Sequence, residues 1–129
     1  MSFLAKLMID GGEFNVLDFK IQFQSKKDTS GKPFGGVKGG TIKIVIEADQ
    51  HTDFLAWILN HNLGKDGKIV FYRRDALGKM KDLKFERAHC IDYEEEFSST
   101  SDSPMTIKME IIAKEILFSD AKFSNDWTD

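Results

Sequence analysis

A single stretch of the sequence, Asp49–Asn62, has clear helical periodicity, which favours a mainly β structure around one helix. Thr52 or Asp53 can cap it, because either side chain can accept a hydrogen bond from the first turn. The large apolar side chains span an arc of roughly 200°, whereas a helix covering one sheet needs ~100°. They are Phe54, Leu55, Trp57, Ile58 and Leu59. We expect one side of the helix to pack on its own domain and the other on a neighbouring subunit.

Most of the remaining sequence alternates apolar and polar residues, as half-buried β-strands do. The predicted strands are Phe3–Ile9, Glu13–Gln24, Gly40–Glu47, Lys68–Asp75, Met80–Phe97, one beginning at Pro104, and a short one in the tail Ser119–Asp129, where Phe123 and Trp127 are large for a free end. The second strand changes parity, so we predict a bulge near Leu17-Asp18. The sequence predicts one domain, residues 1–129, as a compact antiparallel β-barrel or sandwich of about six to eight strands with one flanking helix.

Two of these strands have patterns of their own. In Met80–Phe97, one parity carries the apolar residues Leu83, Phe85, Ile91, Tyr93 and Phe97, which predicts that they share the inner face. Lys68–Asp75 is apolar on both faces. Ile69 and Phe71 point to one face, and Val70 and Tyr72 point to the other. Both of its faces should therefore be buried, at a barrel seam or at an assembly surface.

Residues 25–40 (SKKDTSGKPFGGVKGG) are rich in lysine and glycine and have neither strand nor helix periodicity, so we predict an extended loop. Loops longer than ~12–15 residues are uncommon in compact domains and are usually functional or disordered. Phe34 and Val37 are large apolar residues that a purely flexible linker does not need. We predict that they dock on a partner.

Composition limits the classes of partner. The net charge is -3 with acidic and basic residues interspersed, which gives no basis for binding nucleic acid or an anionic membrane. No apolar run approaches the ~20 residues of a membrane-spanning helix, and the first residues lack the pattern of a signal peptide. Cys90 is the only cysteine, which excludes an internal disulfide and suits a reducing compartment. Folding is expected in the cytoplasm.

The sequence offers some catalytic and metal-binding candidates, but none forms a convincing site, and no cofactor is predicted. His89 and Cys90 are adjacent on a strand, so their side chains point to opposite faces, and Cys90 is better explained as a buried apolar residue. His51 and His61 lack a third ligand at metal spacing. The glycine-rich loop leads into a strand, whereas a phosphate-binding loop leads into a helix. Trp57 fits a core residue and an interface anchor equally well.

Several blocks, taken together in their order and spacing, resemble one known family from Ser2 to about Trp127. They are MSFLAKLMIDGGEFNVLDF at the start, GKPFGGVKGG in the loop, TDFLAWIL in the helix, KDGKIVFYRRDALGKMKDLKF, and PM before the last long strand. The chain resembles the tube protein of the type VI secretion system, the haemolysin-coregulated protein (TssD) family, in its Bacteroidetes-type branch. No single block is diagnostic, so the resemblance rests on their combination.

The resemblance implies a β-barrel that forms hexameric rings, which stack into a hollow tube inside a contractile sheath. Sheath contraction ejects the tube with a spike at its tip. The implied location is therefore the cytoplasm before assembly and afterwards the exterior or a target cell, without a cleavable signal peptide. The other implied partners are the baseplate and effector cargo in the ring lumen. Enzymatic activity, nucleic-acid binding and membrane insertion are not implied.

By position, the resemblance makes Lys26–Gly40 the loop that reaches the next ring, and it places the helix near the lumen and the strand at Lys68–Arg74 between ring neighbours. The implied ring-stacking residues are Lys26, Thr29, Lys32, Phe34, Val37 and Lys38. The implied intra-ring or lumen-side residues are Phe54, Trp57, Leu59, Val70, Tyr72, Arg73 and Arg74. The residues alone leave a second class open: a monomeric ligand-binding barrel, in which Trp57 and the loop cover a pocket.

Overall fold

The structure is a computed structural model that describes residues 3–48, 53–73, 78–102, 104–125 and 127. In chain order its elements are β1 (Phe3–Ile9), β2 (Gly12–Lys27), β3 (Pro33–Glu47), α1 (Leu55–Leu59), β4 (Lys65–Arg73), β5 (Lys79–Phe97), β6 (Met105–Phe118) and β7 (Ala121–Ser124). The prediction of a mainly β chain with one helix is confirmed, and so is the short strand in the tail. No helix in these ranges is long and apolar enough to cross a membrane.

The strands form one antiparallel sheet in the order β3-β2-β1-β4-β5-β6-β7. β3 also pairs with β6, from Thr41 opposite Ile112 to Glu47 opposite Thr106, so the sheet closes on itself. β7 lies outside the closed part and pairs with the end of β6. Of the two architectures that the alternating pattern allows, the chain therefore adopts the barrel.

The barrel interior is filled by the inward-facing side chains of the long strands. Ile42, Ile44 and Ile46 of β3 are buried, and Ile107 and Met109 of β6 face them from across the closing pair. Side chains alternate along a strand, so the polar residues between these apolar ones point outward. The alternation of apolar and polar residues in the sequence therefore places the apolar side chains in the interior, away from water.

β2 contains the predicted bulge. Val16 pairs with Ile46 and Asp18 pairs with Val45, which leaves Leu17 as the extra residue. Leu17 is exposed, whereas apolar side chains on both sides of the bulge pack against the core. One inserted residue reverses the parity of the strand, and this explains why the apolar positions change from even to odd numbers in the sequence.

In β5 the prediction of a single inner face is wrong in part. Ile91 and Phe97 are exposed, and Cys90 is buried instead. Arg87 has a left-handed backbone (φ 51°) that reverses the parity of the strand, and an irregularity at Ile91 reverses it again. Phe97 is exposed because it is the last residue of the strand, beyond the packed interior.

α1 is shorter than predicted. The expected helix was Asp49–Asn62, of which residues 49–52 lie outside the described residues, whereas α1 spans Leu55–Leu59 and ends at Asn60 in an extended conformation. The Asp53 carboxylate accepts a hydrogen bond from the backbone N–H of Leu55 at 3.2 Å, so Asp53 does act on the first turn as expected. It does so from one residue before the N-cap position.

The prediction of an irregular loop at residues 25–40 is wrong, because this segment forms a β-hairpin. β2 and β3 stay paired out to Lys27 opposite Pro33. The pairing of β3 with β6 ends at Thr41, so the hairpin extends beyond the barrel wall. We call residues 22–40 the arm, and its residues 22–37 are all exposed.

Glycine bulges hide the strand character of the arm in the sequence. Gly35 and Gly36 have no partner on β2, and both have a φ of 76°. Glycine adopts positive φ without the steric penalty that a Cβ imposes. Because the inserted residues interrupt the alternation, no period of two survives, and the segment resembles a loop.

Asp28 organises the tip of the arm. Its Oδ1 accepts hydrogen bonds from the backbone N–H groups of Ser30 at 2.9 Å and Lys32 at 3.0 Å, and from the Ser30 hydroxyl at 2.6 Å. The hydrogen bond from the Ser30 hydroxyl is the largest of the effects that hold the pKa of Asp28 below its usual value. The tip is therefore a defined turn in which an aspartate side chain bonds its own backbone two residues on.

We predict that Gly40→Ala lowers the free energy of unfolding more than Gly36→Ala. Both glycines have positive φ, 70° and 76°, so alanine adds left-handed strain of ~1–2 kcal/mol at either site. Only at Gly40 would the new Cβ meet close neighbours, at 2.9 Å from Ile116 Cδ1 and 3.1 Å from the Phe123 ring. Overpacking should therefore add about 1–3 kcal/mol to the loss in Gly40→Ala. Chemical denaturation measures both variants, and equal losses would contradict the packing of β7 over Gly40.

Candidate assembly surfaces

The strand registers give the barrel two different ends. β1 and β2 are joined by the Asp10-Gly11 turn, and β2 runs from there to the arm. We call these the turn end and the arm end. The helix lies at the turn end, because Lys65 forms an ion pair with Asp10 and also lies over the rings of Phe54 and Trp57. The two ends therefore carry different elements: the helix at one and the arm at the other.

The inner face of the helix packs on its own barrel. Trp57 is only 1% exposed, and its indole N–H donates a hydrogen bond to the carbonyl of Ala88 at 3.0 Å. Phe54 is buried beside it and packs edge-on against Phe14, with ring centroids 5.2 Å apart. Both side chains are buried by contacts within one chain, which corrects their predicted place in a subunit or lumen contact. Of the two interpretations of Trp57, the core residue is right.

The outer face of the helix stays exposed in the part of the chain that the structure describes. Leu59 is 74% exposed and Leu55 is 47% exposed. These residues are one turn apart, so their side chains lie next to each other on the helix surface. The prediction that the helix is too apolar for one contact thus agrees with its packing. We call Leu55 and Leu59 the helix ridge.

Two acidic groups lie near the start of the helix. Asp53 is exposed at the start of the helix. The Tyr93 hydroxyl donates a hydrogen bond to the Glu95 carboxylate at 2.7 Å. Burial raises the pKa of Tyr93, and the hydrogen bond to Glu95 and the negative charges of Glu95 and Asp53 raise it further. Both carboxylates therefore raise the pKa of the same hydroxyl, which places them on the same side of the turn end.

At the arm end an open groove of about 430 Å³ is lined mainly by apolar side chains. Phe23 of the arm packs edge-on against Phe123 of β7, with ring centroids 5.0 Å apart. Phe118 forms another part of the wall, and the Lys81 ammonium lies 4.5 Å from its ring centroid. Val37 of the arm completes the rim. We call this the arm groove.

Sequence reasoning missed the arm groove. Its residues come from β2, from β3, from β5 and from the β6–β7 hairpin, and only the closed fold brings them together. The one available signal was the size of Phe123, which is unusual in a chain tail. Alternation alone puts Phe23 on the same face of the second strand as Phe19 and Ile21, but it is exposed on the arm.

The predicted ring-stacking residues all lie on the arm. Phe34 and Val37 are 51% and 53% exposed, although both are large and apolar. Lys26, Thr29 and Lys32 are exposed around the tip, and Lys38 lies within β3. The fold thus collects these residues on one projecting element. Their contact with another ring stays a prediction.

β4 is a wall strand that is covered on both faces over part of its length, in agreement with its sequence pattern. Ile69 is buried in the core, and Val70 is buried on the opposite side. Val70 is covered within one chain, which corrects its predicted place in a subunit contact. Tyr72 is half-buried and Arg73 is exposed, so these two stay candidates. Arg74 lies outside the described residues.

His89 and Cys90 do not form a nucleophile–base pair. Cys90 is buried in the core, and its thiol donates a weak hydrogen bond to the carbonyl of Asp92 at 3.3 Å. His89 packs against Trp127, with ring centroids 5.7 Å apart. Burial raises the pKa of the Cys90 thiol to about 11. The thiolate that a nucleophilic cysteine needs is therefore scarce at neutral pH.

The described residues contain no group of three or more His, Cys, Asp or Glu side chains that could hold a metal ion. Their exposed apolar residues include the helix ridge at the turn end and the arm with its groove at the opposite end. Exposed apolar surface on a folded domain indicates an interaction site. The fold and its surfaces therefore define a small closed β-barrel that carries exposed apolar interaction surfaces.

The family comparison gives this class a specific identity. Residues 1–128 match the family described as Hemolysin coregulated protein Hcp (TssD). The chain belongs to this family and is a structural tube subunit of the type VI secretion system. A search of curated proteins finds no significant match.

Solved structures agree with the family assignment. Hcp1 from Flavobacterium johnsoniae is 32% identical, with a TM-score of 0.86 over 95% of this chain and 99% of that chain. This relative confirms the prediction of the Bacteroidetes-type branch. Hcp1 from Salmonella typhimurium shares the fold at 11% identity, with a TM-score of 0.71 over 90% of this chain and 85% of that chain. A chain of the PVC sheath-tube complex, from an extracellular contractile injection system, shares it at 16% identity, with a TM-score of 0.55 over 94% and 88% of the two chains.

We predict that Cys90 resists thiol reagents in the folded protein. Its side chain is buried and its pKa is raised to about 11, so both access and thiolate content are low at pH 7.5. Labelling with a maleimide should be at least 100-fold slower than in 6 M guanidinium chloride. Leu59→Cys provides the control, because it should add one fast-reacting thiol on the helix ridge. Fast labelling of the unchanged chain would contradict the packing of β5.

Proposed function

We propose that this chain forms hexameric rings that stack head to tail into a hollow tube. The observation that carries the proposal is the arm, which stays paired as a hairpin beyond the barrel and exposes Phe34 and Val37. A single chain gains nothing from ordering apolar side chains in solvent, because ordering costs entropy and their exposure to water is unfavourable. A neighbouring ring that covers the arm gives these side chains a place to be buried.

Ring formation needs a second, lateral set of contacts. A closed ring of identical subunits is built from two different surfaces on each subunit, and stacking adds an open-ended contact along the axis. We propose that Tyr72 and Arg73 of β4, with the neighbouring Arg74, take part in the lateral contacts. In this proposal the helix lies near the lumen but at the turn-end face of the ring, where Leu59, the most exposed member of its outer face, can meet a stacked ring.

The proposed partners follow from the family. The tube would lie inside a contractile sheath, on a baseplate, with a spike at its tip, and effectors would travel in the ring lumen. The similarity of fold to a chain of a PVC sheath-tube complex supports this arrangement at the level of the fold. The protein would assemble in the cytoplasm and leave the cell with the tube, without a cleavable signal peptide.

We also propose that the protein is not an enzyme. The separation of His89 from Cys90 on opposite faces of β5 supports this, and so does the raised pKa of the Cys90 thiol. The work of the chain in this proposal is mechanical: to hold a surface in place and to bind copies of itself.

The arm groove supports a second candidate, a monomeric barrel that binds an apolar ligand. Its volume of about 430 Å³ falls within the ~300–1,000 Å³ of small-molecule pockets. Trp57 is packed at the opposite end of the barrel, so it is not the lid that this candidate was expected to have. A monomer that binds an apolar dye in the groove and shows no concentration-dependent association would favour this candidate.

We predict that Phe34→Ser with Val37→Ser weakens stacking and leaves rings and fold intact. Covering two such side chains contributes on the order of 2–4 kcal/mol to each contact, so tubes should require a concentration roughly 30-fold higher or more. Analytical ultracentrifugation measures both species, and far-UV circular dichroism reports the fold. Gln24→Ser, an exposed polar change on the same arm, serves as the control. Loss of the fold, or unchanged stacking, would contradict the role proposed for the arm.

A further inference from the structure

The arm groove is an open depression that is lined mainly by apolar side chains. Phe23 and Phe123 meet edge-on at one side, and Phe118 lies under the Lys81 ammonium at another. The groove is open to solvent and its volume is about 430 Å³, well above the ~150 Å³ of a cavity that holds one benzene. It therefore has room for more than one aliphatic side chain. Two lysines, Lys81 and Lys122, belong to its lining.

The helix ridge has the opposite character. Leu55 and Leu59, on the helix at the turn end, are two adjacent aliphatic side chains that are 47% and 74% exposed. Asp53 lies beside Leu55 and accepts a hydrogen bond from its backbone N–H. Glu95 acts on the same tyrosine hydroxyl as Asp53. The ridge is thus a convex apolar element with acidic neighbours, whereas the groove is a concave apolar element with basic neighbours.

Groove and ridge cannot meet within one chain, because they lie at opposite ends of the same closed barrel. Phe23 and Phe123 belong to the arm end, and the ridge sits on Trp57, which is fixed to Ala88 near the Lys65–Asp10 pair of the turn end. Two apolar surfaces at opposite ends of one barrel, one with acidic neighbours and the other lined by lysines, can make an open-ended head-to-tail contact.

We propose that the arm groove receives the helix ridge of a second copy of this chain, stacked head to tail. The inference rests on the proposed function and specifies which surfaces meet when rings stack. Leu55 and Leu59 of one copy fill the groove between Phe23, Phe118 and Phe123 of the next. Lys81 and Lys122 then face the acidic neighbours of the ridge. Val37 is both a residue of the arm and a residue of the groove rim, so arm and groove form one continuous docking surface.

Disulfide trapping tests the contact with the full-length protein. Val37→Cys and Leu59→Cys are placed together in one chain, at a rim residue of the groove and at the most exposed ridge residue. Cys90 is buried and can stay in place. After mild oxidation of assembled protein, a denaturing gel should show a ladder of linked chains that continues beyond six. Either single variant should give no ladder, and mixing the two should give linked pairs.

Leu59→Cys with Ile91→Cys is the matched control, because Ile91 is another exposed aliphatic residue and lies on the barrel wall, away from the groove. It should give no ladder. A ladder from Val37 and Leu59 that stops at six chains would place their contact within a ring and overturn the head-to-tail arrangement. No ladder from tubes that are visible by electron microscopy would overturn this contact and leave the proposed function standing. Wild-type protein that never stacks would overturn both.

A second variant measures the contribution of the ridge without any cross-link. Leu59→Asn should raise the protein concentration needed for tubes at least tenfold, while rings form as in the wild type. Ile91→Asn should change that concentration less than twofold. Equal effects of the two substitutions would overturn the assignment of the ridge to the groove.

Discussion

The pairing of β3 with β6 is the constraint on which the rest of the structure depends. It joins two strands that are far apart in sequence, along the run from Thr41 to Glu47, and it converts an open sheet into a barrel. An open sheet would leave two long edges that pair with other chains without specificity. Closure removes those edges from the barrel wall, so association is directed to the surfaces that remain outside it. The same pairing brings the isoleucines of both strands together as the centre of the core.

The point where this pairing ends produces the two surfaces at the arm end. Beyond Thr41, β3 leaves β6 and continues with β2 alone as the arm. Gly40 lies at the point of departure, where its missing side chain lets Ile116 and Phe123 approach closely. β7 takes the place beside β6 that the end of β3 has vacated, and Phe23 and Phe123 then meet over the gap. The arm and the arm groove therefore both form because β3 stops pairing with β6 at Thr41.

The helix completes the opposite end of the barrel. A closed barrel buries its interior well along the walls, but its ends need a cover. Trp57 and Phe54 provide it at the turn end, with the indole N–H satisfied by the Ala88 carbonyl. A helix of five residues has little intrinsic stability, because nucleation of the first turn is unfavourable. Tertiary packing of its inner face holds it in place, and this leaves Leu55 and Leu59 free for another function.

Alternation of side chains was enough to predict the class of fold, the strand series and the bulge at Leu17. It failed where a backbone irregularity interrupts the period. Gly35 and Gly36 interrupt the alternation of the arm, so its hairpin was predicted as a loop. Arg87, whose backbone N–H donates a hydrogen bond to the Asp66 carboxylate, changes which residues of β5 point inward. The arc of the helix correctly indicated two faces. Which side chains belong to which face depended on the position of the barrel end, and that position is a property of the closed sheet.

The arm groove could not be predicted from the sequence for a different reason. Its members are separated by most of the chain, and none of them stands out in its local sequence except Phe123. A pattern in one segment can predict how that segment is buried, whereas a groove assembled from four segments exists only after the sheet has closed. The family resemblance predicted an assembling subunit, but it did not indicate where the concave half of a contact lies.

We propose, above all, that the two ends of this barrel bind other copies of the chain. Electron microscopy of the purified, unmodified protein over a range of concentrations tests it most directly. We expect micrographs to show sixfold rings with a central hole at low protein concentration and end-to-end stacks of those rings at high concentration. A uniform population of monomers at every concentration, with the fold intact by circular dichroism, would contradict it.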